Sequence, residues 1–186
     1  MHEKTVSRKT VYEGRILDLE VQEVELENGR RAVREIVRHG GAVAVLARLP
    51  DGKFAFVRQF RKPVEKDMLE VVAGNREPAE DPEACARREL MEETGLEAGE
   101  VRHLGFIYPS PGYGDERIDI YSAEAVAGSR QANPDEDEHL DVVLLDRDEI
   151  VERMRQNEIQ DSKTLAAWLL YEKIVEQPVQ RREVRR

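Results

Sequence analysis

Hydrophobic and polar residues alternate from Leu17 through Leu19 to Val21, and the alternation resumes at Val24 and Leu26 after a slip near Glu23. A period of two marks a strand with one buried face, and the slip predicts a bulge. Asn28-Gly29 comes next, a pair that tolerates the positive φ angles of a tight hairpin turn. Residues 32–37 are therefore expected to run back as a second strand. Residues 42–47 are apolar without interruption, as in a strand buried on both faces. Asp51-Gly52 then turns the chain into a strand over residues 54–60, and residues 68–72 form a further candidate that ends at Gly74.

From Asp81 the period lengthens. Asp81 can cap a helix, Pro82 suits its first position, and Gly95 stands where a left-handed terminating residue belongs. The spacing predicts a helix of about three to four turns. Strands are expected again over residues 101–108, 118–125 and 141–145. Asp146 with Glu149 makes a capping box for a helix through Met154. Asp161 or Ser162 starts a last helix with an apolar stripe of Leu165, Trp168, Leu169 and residues 171–174. The mixture implies an α/β class. Two units are expected: an N-terminal β arm over residues 1–38 and a main domain over 39–186. The arm has few apolar side chains, so its Leu17, Leu19 and Val21 face must lie on the main domain or on a second copy of the chain.

Charge narrows the function. Against 29 Lys and Arg stand 39 Asp and Glu, a net charge of −10 in 186 residues. Such a surface repels nucleic-acid phosphates, so no nucleic-acid partner is expected. A small anion remains a fitting substrate if metal ions or a basic pocket offset the field. The single cysteine, Cys85, excludes an internal disulfide and a Cys-based zinc site, and it reads as a small packing residue. No apolar segment follows Met1 as in a secretory signal, and the run over residues 40–47 is too short to span a bilayer. A cytoplasmic protein without a membrane partner is the expectation. His39, His103 and His139 lack metal-ligand spacing, and the arginine-rich stretch over residues 181–186 reads as a solvated tail.

Chemistry concentrates on the first helix. At 100° per residue Glu89, Glu92 and Glu93 share an arc of roughly 100°, bordered by Arg88. Like charges three and four residues apart oppose helix formation, so three acids on one stripe point either to a solvated acidic face or to a bound hard cation. Arg88 can orient such carboxylates through paired hydrogen bonds. The acids belong to a longer pattern. Gly74, Glu80, Arg88-Glu89-Leu90, Glu92-Glu93, Gly95 and Leu96 resemble the Nudix box, G-x5-E-x7-R-E-U-x-E-E-x-G-U with U apolar, at every fixed position. Beyond it, Val57-Arg58-Gln59-Phe60-Arg61, Glu70-Val71-Val72-Ala73-Gly74, Pro111, Asp115-Glu116-Arg117 and Asp135-Glu136-Asp137-Glu138 are similar to segments of the ADP-ribose pyrophosphatase branch. Val72 stands where many members have proline. Arg15 stands where relatives often place a base-stacking aromatic, although a guanidinium can stack as well.

The resemblance implies a Nudix fold, a mixed β-sheet sandwiched between α-helices with an N-terminal β-strand arm. It implies metal-dependent hydrolysis of the diphosphate of a nucleoside diphosphate sugar, with ADP-ribose, split to AMP and ribose 5-phosphate, as the first substrate to try. GDP-mannose or another nucleotide sugar is the alternative, and a nucleotide sensor without catalysis is the reading from another class. Two or more Mg²⁺ ions, or Mn²⁺, are implied, with Glu89, Glu93 and the Ala73 carbonyl as ligands. Glu92 is implied as ligand or base and Arg88 as the group that orients the acids. The acidic segment makes Glu136 the expected general base, with Glu138 as second choice and further metal ligand; the bland reading of that segment is a polar turn. Arg15, Arg34 and Arg61 are expected to hold substrate, with Gly74 and Pro111 shaping the site. Glu116 either contacts the terminal ribose or holds its loop. A homodimer is implied, with each arm crossing to the partner's pocket.

Overall fold

In the computed structural model, residues 2–126 and 140–176 are described. The arm is a three-stranded antiparallel sheet in the order β1-β2-β3, where β1 is Glu3–Glu13, β2 is Leu17–Leu26 and β3 is Arg31–His39. The hairpin forms at Asn28-Gly29 as the pair requires: Gly29 takes φ 78° and its N–H donates to the Leu26 carbonyl at 2.8 Å. Two expectations need correction. The irregularity near Glu23 is present but sits on the facing strand: β2 and β3 pair without interruption, while the β1–β2 register shifts between Thr5 and Ser7, the partners of Val24 and Glu23, and again between Thr10 and Tyr12. The better-buried face of β2 is also not Leu17, Leu19 and Val21 but Glu20, Gln22 and Val24. Glu20 can be buried because Gln22 and Arg38 donate to its carboxylate.

The main sheet has seven strands. Its path runs β10 (Leu140–Leu145), β5 (Phe54–Arg61), β4 (Ala42–Arg48), β9 (Ile118–Val126) and β8 (Glu97–Ile107). β6 (Lys66–Glu70) pairs with β5, and β7 (Val72–Asn75) pairs with β4. β4 and β9 are parallel and the other pairs antiparallel. One expected strand thus divides at Val71, where the chain leaves β5 for β4. β4 is the centre, and its unbroken apolar run fits because the sheet is covered on both faces. On one face Ala42, Ala44, Leu46, Phe54 and Phe56 pack beneath α2 (Arg147–Arg155) and α3 (Ser162–Tyr171). There Phe54 meets Trp168 and Tyr171 edge-on, with ring centres 5.3 and 5.4 Å away. On the other face Val43, Val45, Val57 and Tyr121 pack against Cys85, Ala86 and Leu90 of α1 (Pro82–Thr94). This is the expected helix–sheet–helix sandwich. Among the described residues no helix is long and apolar enough to cross a membrane.

Candidate active site

α1 starts and stops where its sequence dictates. Asp81 accepts from the N–H groups of Glu83 and Ala84 at 3.0 and 3.1 Å, and Gly95 ends the helix at φ 71°. Packing of Cys85, Ala86 and Leu90 on the sheet sets the rotation of α1. Leu90 goes into the core, while Glu89 and Glu92 turn toward β7 and Glu93 is buried at its foot. Cys85 is fully buried. Its thiol donates to the Asn75 carbonyl at 3.7 Å, and burial, with Glu80 beside it, pushes it up to about 12, which leaves no nucleophile there at neutral pH.

Arg88 holds the acids in order. Its Nε and Nη2 donate to the two oxygens of Glu80 at 2.9 and 3.0 Å, while Nη1 donates to Glu89 at 2.7 Å and Glu92 at 2.8 Å. The paired bond from Arg88, opposed by burial and helped by the Glu77 N–H, brings Glu80 down to about 2. One guanidinium thereby relieves repulsion among three carboxylates and joins the start of the box to its helix. Gly74 makes room for Glu89. A β-carbon there would stand 2.0 Å from the carboxyl carbon of Glu89, so that carboxylate lies directly on the β7 backbone. Glu93 Oε2 comes within 3.4 Å of the Ala73 N–H.

These residues line a cleft of about 560 Å³. Ala73, Gly74, Arg88, Glu89, Glu92 and Glu93 form one wall, and Arg61 and Glu116 also line it. The cleft brings in residues that the sequence reading missed, Asp161, Ser162 and Lys163 at the start of α3. Asp161 caps α3 through the Thr164 N–H at 2.9 Å, and capping was all its local sequence signalled. Glu70, 2% exposed, lies between Arg61 and Lys163. Arg61 Nε and Nη2 donate to it at 2.8 and 2.7 Å, and Lys163 Nζ bonds both Glu70 and Asp161. Burial alone would raise the Glu70 carboxyl, but the Arg61 bond and the Lys163 charge outweigh it and hold it below the usual glutamate value.

Other expected residues lie elsewhere. Arg34 is engaged within the arm, where it forms a paired bond to Glu3 at 2.6 and 3.0 Å. Arg15 lines a separate cleft of about 320 Å³ with Arg38, His39 and Gly40. Pro111 is exposed and Pro109 lines the main cleft in its place. Glu136 and Glu138 lie outside the described residues, as do His139 and residues 181–186. His39 and His103 serve structure: His39 Nδ1 accepts from the Gly41 N–H at 3.1 Å, and His103 Nε2 is 3.1 Å from buried Asp119.

The donor set suits a hard divalent cation. Glu89, Glu92, Glu93 and the Ala73 carbonyl supply only oxygen, and the missing β-carbon of Gly74 keeps Glu89 against the same backbone segment. Arg88 spans Glu89 and Glu92, and among the described residues no three His, Cys, Asp or Glu side chains are arranged to hold a metal ion as they stand.

Comparison with known proteins bears on this geometry. The family described as "NUDIX domain" matches residues 38–169, and "Nucleoside diphosphate sugar hydrolase N-terminal domain" matches residues 3–37. A methanol dehydrogenase activator of Bacillus methanolicus is 43% identical, over 89% of this chain and 90% of its own. An ADP-ribose pyrophosphatase of Bacillus subtilis is 40% identical, over 90% of this chain and 91% of its own. A GDP-mannose pyrophosphatase of Escherichia coli is 35% identical, over 73% of this chain and 75% of its own. A crystal structure of an ADP compounds hydrolase superposes with a TM-score of 0.79 at 24% identity, covering 91% of this chain and 92% of the other, and shares the fold.

Proposed function

The chain belongs to the Nudix family and is a Nudix hydrolase, and from that premise we propose that it splits the diphosphate of a nucleoside diphosphate sugar, with ADP-ribose cleaved to AMP and ribose 5-phosphate as the leading substrate. One observation supports this above all: a single cleft gathers the box carboxylates on one wall and admits the cationic Arg61. An anion with two charged phosphates needs both, cations to neutralise it and a rigid guanidinium to orient it. GDP-mannose is the second reading, favoured by the 35% identical pyrophosphatase of that name and by Arg15 at the expected base-stacking position.

In the mechanism we infer, Glu89, Glu93 and the Ala73 carbonyl hold divalent metal, with Mg²⁺ first and Mn²⁺ second, and Glu92 is available as a further ligand. When bound, the metal neutralises the diphosphate, polarises the attacked phosphorus and acidifies the attacking water. Arg88 keeps Glu89 and Glu92 on the cleft side of α1 while their charges are uncompensated. Arg61, braced by Glu70, presents its guanidinium to the phosphates. Glu116 accepts from hydroxyls of the distal sugar. Glu136 takes the proton from water, with Glu138 as second choice; Glu92 is the competing base on the helix.

The active species in this reading is a homodimer whose arms cover the partner's cleft. Val6, Val11, Tyr12 and Val33 are all exposed on the arm, apolar side chains that a second copy can bury. Arg15 then reaches the base of a nucleotide held mainly by the other subunit, and Arg34 contributes from the same arm.

The test is product analysis with Mg²⁺ across ADP-ribose, GDP-mannose and other nucleotide sugars. A nucleoside monophosphate and a sugar phosphate in equal amounts are expected. Failure to hydrolyse any member of the panel would overturn the proposal.

A further inference from the structure

The arm and the loop that borders the cleft are joined by backbone hydrogen bonds. β4 and β9 pair in parallel from Ala42 and Ile118 onward, and the Ala42 N–H donates to the Arg117 carbonyl at 3.0 Å just before that ladder starts. The same parallel relation recurs upstream, with Val37 of β3 bridging to Gly114. There the Val37 N–H donates to the Tyr113 carbonyl at 2.7 Å, and the Asp115 N–H donates to the Val37 carbonyl at 3.1 Å. Residues 113–115 are thus tied to the edge of the arm through a single bridge at Gly114, and Glu116, the next residue, lines the cleft.

Arg38 locks this junction. Its Nη1 donates to Asp115 Oδ2 at 2.8 Å, while Asp115 Oδ1 accepts the His39 N–H at 3.0 Å. From the arm side, Nε and Nη2 both reach Glu20 Oε2 at 3.0 Å. Glu20 is a buried carboxylate, further held by Gln22 at 2.8 Å. A guanidinium with fixed donors on both sides transmits position better than a flexible ammonium. Two carboxylates, one on the arm and one on the loop, are thereby kept in one geometry. Neither is part of the metal-binding wall.

We propose that Arg38 is a positioning residue: through Asp115 it sets the placement of Glu116, so that the arm tunes affinity for the sugar half of the substrate. This rests on the reading of Glu116 as a contact to the distal sugar. Arg38 itself does not line the main cleft. Its loss should weaken the sugar contact without disturbing the carboxylates of α1.

The test uses the full-length protein, Mg²⁺ and the better of ADP-ribose and GDP-mannose, with Arg38→Met, Arg38→Lys, Asp115→Asn and Glu116→Gln. Arg38→Met and Asp115→Asn should each raise KM about tenfold with kcat within about twofold, and Arg38→Lys should recover part of the loss. The half-activating Mg²⁺ concentration should stay at the wild-type value. On the Glu116→Gln background, Arg38→Met should add less than about twofold, because both changes act through one contact. An unchanged KM in folded Arg38→Met and Asp115→Asn, or effects that multiply fully with Glu116→Gln, would overturn the proposal. Hydrogen exchange supplies a readout without catalysis. In Arg38→Met the Val37 and Asp115 amides should exchange at least about tenfold faster while those of α1 do not change; equal protection in both proteins refutes the clasp. If the wild type hydrolyses no nucleotide sugar, the functional reading falls separately, and the exchange result alone decides the clasp.

Discussion

Gly74→Ala is the smallest change that reaches the proposed chemistry. Gly74 pairs with Val43 in the β4–β7 ladder, and its φ is not positive, so alanine fits the backbone without torsional strain. The obstacle is the Glu89 carboxylate, whose carbon and two oxygens would lie 2.0, 2.1 and 2.3 Å from the new methyl. To regain even the 3.0 Å below which real contacts essentially never fall, the carboxylate must retreat by about 1 Å. It can do so by rotating its own side chain, at the expense of the 2.7 Å bond from Arg88. Stability should therefore fall by only about 1 kcal/mol, the low end for overpacking. Function should suffer more, because a misplacement of about 1 Å at a positioned group costs on the order of 10²-fold. The assay is initial rate against Mg²⁺ concentration, alongside thermal unfolding. We expect a higher half-activating Mg²⁺ concentration and a kcat/KM reduced about 10²-fold in a folded protein. In Glu89→Ala the same glycine substitution should lower Tm less, since the three atoms nearest the methyl are gone. Wild-type Mg²⁺ dependence and turnover in Gly74→Ala would refute the reasoning.

Glu93→Gln removes the charge of a buried box carboxylate, and kcat should drop by on the order of 10²-fold or more at saturating Mg²⁺; near-wild-type turnover would remove Glu93 from the ligand set. Glu136→Gln should lower kcat with KM and Mg²⁺ dependence retained, whereas loss of turnover in Glu92→Gln alone would move the base to α1. Glu70→Gln should destabilise by about 2 kcal/mol near neutral pH, because the part-buried Arg61 and Lys163 lose the one charged partner they share, buried Glu70. Since the folded-state Glu70 value lies below the usual 4.5, that contribution is complete above about pH 5 and declines as pH falls through the lowered value; denaturant midpoints of the two proteins should converge in acid, and a gap independent of pH would contradict the assignment. Mixing Glu93→Gln chains with chains disabled at Arg15 should restore activity that neither parent has if arms are exchanged between subunits, and a fully active monomer in sedimentation would exclude that arrangement.

Much of the site was legible because its signals are local. The box is a spacing, and a helix converts fixed spacing into a fixed face, so Glu89, Glu92, Glu93 and Arg88 could be placed before any coordinate was known. The caps at Asp81, Gly95, Asp146 and Asp161 were readable for the same reason, since each bonds groups within a few residues of itself. β1 was not legible. All eleven of its residues are exposed, so no alternation of apolar and polar positions reports it. The apolar alternation in β2 pointed to the wrong face, because Glu20 and Gln22 are buried by partners that no sequence pattern displays.

The sequence by itself therefore determined the chemistry available and the elements that present it: an acidic helix face, a glycine before it, and a chain of strands whose central member is apolar throughout. Tertiary structure decided which other groups meet that face. Lys163 comes to Glu70 across 93 residues, and Arg38 reaches Asp115 across 77. Arg34 is paired with Glu3 within the arm. Such meetings depend on how strands are ordered in a sheet and which loop lies against which edge. Those arrangements are set by burial of many side chains at once, a collective quantity that no short stretch of residues encodes.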